Sequence, residues 1–383
     1  MKTTILHAAM FTPSPSGGWG LPILIEDEPG VGKTAIVEQY AASWGFPCEC
    51  LSPGERGEGA FGVVPVPAKG VLTYPAPEWS AAFTGAGCGL VFVDEVTTAP
   101  PALQAPLLGL ISAKRIGGAK LGPRTRVMGA CNPPELAANG YDLAPPLANR
   151  FGHISWGAPS VEEHAAYMLG GAQGAVVAVR DALAEEARVM KAWPEAFARA
   201  VGLESAFLQT HPEMKNRCPK PGDPAQGRAW PSDRTWTYAT YALAASYVHG
   251  LSDADREEYV GAFIGRVANE AFQTFIEQAD LPSPADVLDG KVEFAWEPRR
   301  LDRTAAIITS CAALVCREGT EKRRERAAVL WTMLAGASNF DIIVPAARAL
   351  VQARLHVSKE ALGVLDQIAP ALKAAGIQAG DAL

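Results

Sequence analysis

The sequence predicts an α/β fold: a doubly wound domain built on a parallel sheet, followed by a region made of helices alone. Short apolar runs alternate with helical periodicity across residues 21–156, which is the pattern of parallel strands joined by helices. Residues 90–93 are apolar throughout, as is typical of a strand buried on both faces. Beyond Pro159 only helical periodicity remains.

The elements follow in order along the chain. Strands are predicted at residues 21–25, 46–51, 71–74, 90–93, 124–130 and 154–156, and a hairpin around Gly117-Gly118 at residues 114–121. The first helix is predicted at residues 33–44 and ends at Gly45. Later helices are predicted at residues 161–169, 176–193, 194–208, 233–248, 253–278, 304–315, 321–334, 342–355 and 359–374.

Composition limits the class of protein. The 383 residues carry a net charge of −7, which argues against a surface devoted to nucleic acid. The 7 scattered cysteines are an odd number and favour reduced thiols in a cytoplasmic protein over a disulfide framework. No apolar run reaches the ~20 residues of a membrane span.

A glycine-rich turn joins the first predicted strand to the first helix. Such a turn directs backbone N–H groups and the positive end of the helix at a phosphate. Lys33 adds a point charge for the β and γ phosphates, and Thr34 offers a hydroxyl ligand to Mg²⁺. The predicted phosphate-binding residues are Pro29, Gly30, Val31, Gly32, Lys33, Thr34 and Ala35.

Two carboxylates, Asp94 and Glu95, follow the buried strand at residues 90–93. Mg²⁺ prefers hard oxygen ligands, so Asp94 joins Thr34 as a predicted metal-binding residue. Together with the glycine-rich turn, this pair predicts a site for a nucleoside triphosphate and Mg²⁺, and hence an NTPase.

One residue departs from a strict phosphate-binding loop. Asp27 stands where the consensus has glycine, and Glu26 and Glu28 add negative charge on either side. These carboxylates would oppose a bound phosphate if their side chains turned inward. A protein that binds nucleotide with little turnover therefore stays open as an alternative.

The order of the motifs resembles the AAA+ ATPases, and within them the MoxR-like branch and the related dynein-type group. The resemblance covers residues 20–250 and includes the segments Met128-Gly-Ala-Cys-Asn-Pro-Pro134, Asn149-Arg-Phe151 and Trp230-Pro-Ser-Asp-Arg-Thr-Trp236. It implies a P-loop AAA+ domain at residues 1–157 and an all-helical lid with the second sensor at residues 158–250. Residues 251–383 then form a helical C-terminal extension with no assigned role.

The resemblance also implies catalytic roles. Glu95 would orient and polarise the attacking water beside Asp94 and its metal. Asn132 resembles the first sensor, which holds that water against the γ-phosphate. Arg150 resembles the arginine finger, which reaches the nucleotide of a neighbouring subunit, and Arg234 resembles the second sensor. Arg124 and Arg126 are the alternative finger candidates.

Two segments resemble parts of the branch that face the pore of a ring and contact the client. These are residues 54–83 and the hairpin at residues 114–121. The hairpin and the strand after it carry a cluster of basic residues, which either contacts an acidic partner or nucleic acid or is simply solvated. The cluster consists of Lys114, Arg115, Lys120, Arg124 and Arg126.

The leading hypothesis is an ATP-hydrolysing, chaperone-like motor that forms a homo-oligomeric, hexameric ring and remodels or assembles a protein client. By resemblance, that client or partner is a von Willebrand A domain protein. A nucleic-acid motor or loader that uses the basic hairpin is one alternative. A nucleotide-gated scaffold is the other.

Overall fold

The structure is a computed structural model. It describes residues 2–133, 136, 140–170, 179–297, 299–336, 340–355 and 363. The predicted helix at residues 359–374 lies outside this part of the chain, Gly363 apart, as does Pro134 of the predicted first-sensor segment.

The chain forms two compact units. One comprises Met1–Val189 and Asn216–Asn269, and the other comprises Met190–Lys215 and Glu270–Leu383. The three-part division made from the sequence, with boundaries at residues 157 and 250, stays a prediction.

A five-stranded parallel sheet forms the centre of the first unit. Its strands are β1 (Ile23–Glu26), β2 (Cys48–Leu51), β5 (Gly89–Val93), β8 (Thr125–Cys131) and β9 (Gly152–Ser155), in the spatial order β2-β5-β8-β1-β9. Every residue of β5 and β8 is buried, as expected for central parallel strands. The predicted fold, a parallel α/β sheet domain followed along the chain by helices, is confirmed.

Helices and two small hairpins complete the first unit. The hairpins are β3 (Val66–Ala68) with β4 (Val71–Thr73) and β6 (Arg115–Ile116) with β7 (Ala119–Lys120). The second hairpin confirms the prediction at residues 114–121. The helices are α1 (Thr3–Met10), α2 (Lys33–Ser43), α3 (Pro101–Ala113), α4 (Pro145–Ala148), α5 (Val161–Gly170), the start of α6 (Ala182–Thr210), α7 (Asp233–His249) and most of α8 (Asp253–Ala279).

A backbone kink at Gly265 divides α8. Gly265 has φ 74°, and a Cβ at this position would stand 2.6 Å from the carbonyl oxygen of Ala229. Only glycine accepts both the left-handed conformation and this close approach. The kink therefore fixes the chain segment around Ala229 against α8.

The second unit is helical in the part that the structure describes. It contains the end of α6, α9 (Pro284–Leu288), α10 (Leu301–Arg317), α11 (Thr320–Ala335) and α12 (Phe340–Gln352). α10 packs against the three helices α9, α11 and α12. Gly202 of α6 meets α10 closely, because a Cβ there would stand 1.9 Å from Ser310 Oγ.

The helix α6 differs from the prediction. The sequence predicts two helices that meet at Pro194, whereas the structure has one helix through it. Proline in a helix interior removes one backbone hydrogen bond. The neighbouring rings of Trp193 and Phe197 are buried and stacked at 5.7 Å, and this packing offsets the loss.

In the part of the chain that the structure describes, none of the helices is both long and apolar enough to cross a bilayer. The cysteines at positions 48, 50, 88, 131, 218, 311 and 316 are all free thiols.

Candidate nucleotide-binding site

The glycine-rich turn lies between the end of β1 and the start of α2. Gly30 and Gly32 both have φ 85°, a left-handed conformation that glycine adopts without strain. Gly32 is the N-cap of α2, and Lys33 is its first residue. The predicted loop from Pro29 to Ala35 therefore presents the N-terminus of a helix at the carboxyl edge of the sheet.

Lys33 reaches across this edge to the end of β8. Its Nζ donates hydrogen bonds to Asn132 Oδ1 at 2.8 Å, to the Asp27 carbonyl at 2.8 Å and to the Glu28 carbonyl at 2.9 Å. Burial lowers the pKa of Lys33, while the nearby acidic groups, Asp94 and Glu95 among them, oppose this shift. The geometry brings the predicted phosphate lysine and the predicted first sensor into direct contact.

Thr34 and Asp94 form the second contact of the site. The Thr34 hydroxyl donates a hydrogen bond to Asp94 Oδ2, and Asp94 Oδ1 accepts one from the Glu95 backbone N–H at 2.9 Å. A hydroxyl and a carboxylate side by side are the oxygen donors that Mg²⁺ prefers. The two predicted metal-binding residues thus lie together.

Glu95 follows Asp94 with an unusual backbone. Its φ is 53°, and it begins the short 3₁₀ helix Val96–Thr98. A left-handed non-glycine residue is uncommon and is found preferentially at functional sites. The Glu95 side chain is half-buried, and its charge acts on Lys33.

The Asp27 carboxylate is held by two backbone N–H groups. It accepts hydrogen bonds from the Glu28 backbone N–H at 2.7 Å and from the Gly157 backbone N–H. Its charge also acts on Lys33 and opposes the decrease that burial causes in the pKa of that lysine. The sequence raised the question of whether this residue opposes a phosphate, and the structure places its carboxylate on other partners.

Arg150 and Arg234 lie near one another at the end of α4. Arg150 Nη1 donates to the Pro146 carbonyl at 2.6 Å, and its buried Nε has no hydrogen-bond partner among the described residues. Burial lowers the pKa of Arg150, and the charge of Arg234 lowers it further. Arg234 is exposed, and its Nη1 donates to Asn149 Oδ1 at 3.2 Å.

Asn149 precedes Arg150 in the chain and bonds to Arg234, and no role was predicted for it. Its amide donates to the Trp230 carbonyl at 3.2 Å, and its Oδ1 accepts from the Ser232 hydroxyl at 3.0 Å. Ser232 also caps α7 in a capping box with Thr235. Asn149 therefore fixes the end of α4, next to Arg150, to the start of the helix that carries Arg234.

Sequence reasoning also missed an ionic group at the end of β1. Glu26 Oε2 accepts a hydrogen bond from Arg228 Nη1 at 2.9 Å, and Glu26 Oε1 lies 2.9 Å from His153 Nδ1. Arg228 and Glu26 are separated by 202 residues in the chain. No local pattern indicates such a pair.

The prediction that the five basic residues around the second hairpin form one exposed cluster is wrong. Lys114 is buried and donates to the carbonyls of Trp19 and Pro123. Arg126 is fully buried against Glu186 at 2.7 Å, and Arg124 pairs with the same carboxylate. Arg126 is thereby excluded as an arginine finger, and of the five only Arg115 and Lys120 are exposed.

One group of side chains among the described residues has spacing suited to a metal ion. The ligand atoms of His7, Glu185 and His249 lie within 4.8 Å of one another. Arg188 donates to Glu185 at 2.7 Å, and its Nη2 lies 3.1 Å from His249 Nδ1. Arg188 thus bonds to the atoms that would ligate a metal ion, so we assign the three side chains a structural role.

The comparisons with known proteins add little to this geometry. The sequence matches no protein-family profile and no curated protein. Among solved structures, the chain is similar to a protein from Cytophaga hutchinsonii provisionally assigned as an ATPase, at 16% identity and a TM-score of 0.47. The match covers 72% of this chain and 88% of that one. A likeness this distant assigns no activity.

Proposed function

We propose that this chain is an ATP-hydrolysing AAA+ motor of the MoxR-like branch, which works as a homo-oligomeric, hexameric ring on a protein client. One observation carries the proposal: Lys33 contacts Asn132 and Thr34 contacts Asp94 at the carboxyl edge of three adjacent parallel strands. This edge is where doubly wound sheets bind their ligands. The motifs that the sequence places far apart therefore converge on one site.

The residues fit ATP together with Mg²⁺. Thr34 and Asp94 would hold the ion, which neutralises charge on the β and γ phosphates when bound. The glycine-rich turn and Lys33 would bind the phosphates. The two backbone N–H groups that bond to the Asp27 carboxylate partly offset its negative charge, which supports this assignment.

Hydrolysis then requires a positioned water and a neutralised transition state. Glu95 would orient the water, and Asn132 would hold it against the γ-phosphate. Arg150 would serve the nucleotide of a neighbouring subunit, a role that follows from its position in the Asn149-Arg-Phe151 segment. An arginine supplied in this way is worth ~10³–10⁵ in rate.

The hairpin β3–β4 supports a protein client. Leu72 is 71% exposed and Val71 61% exposed, and Tyr74 beside them is also exposed. Clustered apolar side chains on a surface mark contacts with protein. The alternative of a nucleic-acid motor is weakened, because Lys114, Arg124 and Arg126 are engaged within the fold. A von Willebrand A domain protein remains the expected partner by resemblance alone.

The test is ATP turnover as a function of protein concentration for wild type, Glu95→Gln and Arg150→Ala. Lys191→Ala, which removes an exposed charge from α6, is the control. Specific activity should rise with concentration as subunits assemble. Glu95→Gln should bind ATP without hydrolysing it, and Arg150→Ala should assemble but lose at least ~10³-fold in turnover.

Three outcomes would contradict the proposal. A wild type that binds no ATP would remove the nucleotide site. Turnover that is independent of concentration, with Arg150→Ala fully active, would remove the shared site. Binding without turnover at any concentration would favour the nucleotide-gated scaffold.

A further inference from the structure

A segment of the second unit, between α9 and α10, has the side-chain pattern of a β-strand. It comprises residues 291–297, within which Phe294 and Trp296 are half-buried whereas Glu293 and Ala295 are exposed. The rings of Phe294 and Trp296 meet edge to face with their centroids 5.5 Å apart. Side chains two residues apart share one face of an extended chain, so both observations indicate an extended backbone.

Contacts near both ends hold this segment in place. The backbone N–H groups of Lys291 and Val292 donate to the Asp286 carbonyl at 2.9 and 3.2 Å. At the other end, Trp296 Nε1 donates to the Met333 carbonyl in the last turn of α11 at 3.3 Å. The segment is therefore positioned before a partner arrives, which lowers the conformational cost of binding.

The backbone between these contacts is unpaired. Among the described residues, no hydrogen bond to another backbone group is made by the N–H groups of residues 293–297 or by the carbonyl groups of residues 292–296. A strand with free backbone groups accepts a strand from another chain. These groups therefore supply the main-chain half of a site for an extended peptide.

An apolar pocket lies beside this backbone. Its volume is about 230 Å³, and Val292 and Phe294 of the segment line it together with three buried side chains. The three are Leu281, Val287 and Ile307. In peptide recognition by strand addition, the main chain gives affinity and such a pocket selects the side chain. The pocket therefore calls for an apolar residue in the peptide.

Acidic side chains line the same pocket. Asp280 and Glu293 are both exposed, and neither carboxylate has an ion pair among the described residues. Arg303 also lines the pocket, but it is bonded to the Glu297 carboxylate and to two backbone carbonyl groups. The two free carboxylates therefore favour a peptide with basic side chains next to the apolar one.

We propose that residues 293–297 bind an extended peptide of a partner protein by strand addition, with an apolar side chain in the pocket and basic side chains facing Asp280 and Glu293. The same charges disfavour a second copy of this chain as the occupant, because pairing two identical segments would bring like carboxylates together. This binding requires no nucleotide, so the inference goes beyond the proposed function and gives the second unit a role of its own.

The test follows the fluorescence anisotropy of a labelled heptapeptide, TKTLTKT, as the intact chain is added. The threonines favour an extended conformation, and the lysines and the leucine share one face of it. Replacing the leucine by serine should weaken binding by roughly 10- to 100-fold, the loss expected when a buried leucine side chain is removed.

Methylation of the probe backbone tests strand addition itself. One probe carries N-methyl groups on the lysines and the leucine, and a matched probe carries them on the threonines. Alternate N–H groups of a strand point to opposite edges, so only one of these sets can face the segment. One methylated probe should therefore lose at least about tenfold in affinity, and the other should bind like the parent peptide.

Charge reversal on the protein tests the acidic lining. Glu293→Lys should weaken binding of the lysine probe by about 2- to 5-fold, and it should strengthen binding of a probe with glutamates in place of the lysines. Glu325→Lys alters an exposed acidic residue of α11 that does not line the pocket, and it should change neither affinity. Circular dichroism of both variants reports whether the fold is retained.

Several outcomes would overturn the proposal. Equal losses with the two methylated probes would exclude strand addition, and equal binding of the leucine and serine probes would exclude the pocket. A wild type that binds none of the probes would overturn the whole site. Self-association of the wild type that is lost in Glu293→Lys would assign the segment to a second copy instead. ATP turnover enters none of these outcomes, so the proposed function stands or falls separately.

Discussion

Lys33 Nζ donates a 2.8 Å hydrogen bond to Asn132 Oδ1 across 99 residues of chain, and this contact joins the first turn of α2 to the end of β8. An amide at this position accepts from the ammonium without neutralising it. Lys33 therefore keeps its charge, and a phosphate would replace one of the three acceptors to which its ammonium now donates.

We expect two substitutions of Asn132 to fail in different ways. Asn132→Ala removes a positioned amide and should lower kcat by ~10²–10³ with little change in ATP affinity. Asn132→Asp would form an ion pair with Lys33, which competes with the phosphate, and should weaken ATP binding itself. Steady-state kinetics and calorimetric nucleotide binding check both. Equal affinity losses in the two variants would show that Asn132 only supports the loop.

Replacement of Asp27 tests its orientation. Because the carboxylate bonds to the N–H groups of Glu28 and Gly157, Asp27→Ala should cost ~1.5–3 kcal/mol of folding stability. Nucleotide affinity should change by less than about threefold, since two backbone N–H groups hold the carboxylate and offset its charge. Urea unfolding and nucleotide titration are the measurements. A tenfold gain in ATP affinity would show instead that Asp27 repels the phosphate.

The buried carboxylate of Glu186 forms ion pairs with two arginines, Arg124 and Arg126. Arg126 is fully buried, so Glu186→Ala would leave its guanidinium without a counter-charge and should cost ~3–5 kcal/mol in the free energy of unfolding. The matched control is Asp253→Ala, which removes a 91% exposed partner of Arg256 and should cost less than ~1 kcal/mol. Urea titrations at pH 7 compare the two. Similar losses of unfolding free energy in both variants would contradict the assignment of Glu186 as the buried counter-charge of Arg126.

The exposed hairpin β3–β4 predicts an effect on client-stimulated turnover. An unfolded model protein should raise the ATPase rate of wild type, and Leu72→Ser should reduce the ratio of stimulated to basal turnover severalfold. Loss of an exposed apolar side chain weakens a hydrophobic contact by ~1–2 kcal/mol. Val161→Ser, at an 81% exposed position of α5, is the control. An unchanged ratio for Leu72→Ser would remove the hairpin from client binding.

Stability should depend on pH through His249. Burial, and then the charges of His7 and Arg188, lower its pKa from 6.5 to about 4. The unfolded chain therefore binds more protons below pH 6.5, so this contribution is complete above pH 6.5 and is lost as the pH falls toward 4. This group should change the free energy of unfolding by at most about 3 kcal/mol.

Urea unfolding at pH 7 and pH 5 measures this dependence. His249→Gln should reduce the difference between the two pH values, although His7, whose pKa is also lowered by burial, retains part of it. His164→Gln alters an exposed histidine and should leave the difference unchanged. An undiminished difference in His249→Gln would assign the pH dependence to other groups.

Local patterns in the sequence were sufficient for the sheet and the glycine-rich turn. Apolar runs predicted β1 and β5, because a strand buried on both faces needs apolar side chains. Strand ends in a parallel sheet share one edge, so the convergence of Lys33, Asp94 and Asn132 followed from their positions in the chain. The hairpin at residues 114–121 followed from its two glycines.

Only the tertiary structure decided which charges are available. Arg126 and Lys114 read as surface cations in the sequence, yet the fold buries them on Glu186 and on backbone carbonyls. Arg228 pairs with Glu26, a partner 202 residues away in the chain. Periodicity and turn chemistry depend on neighbours in the chain, whereas the partner of a charged side chain depends on packing between distant segments. The sequence by itself therefore determined the glycine-rich turn and the strands beside it, and the packing of the folded chain determined which charged side chains are buried in ion pairs.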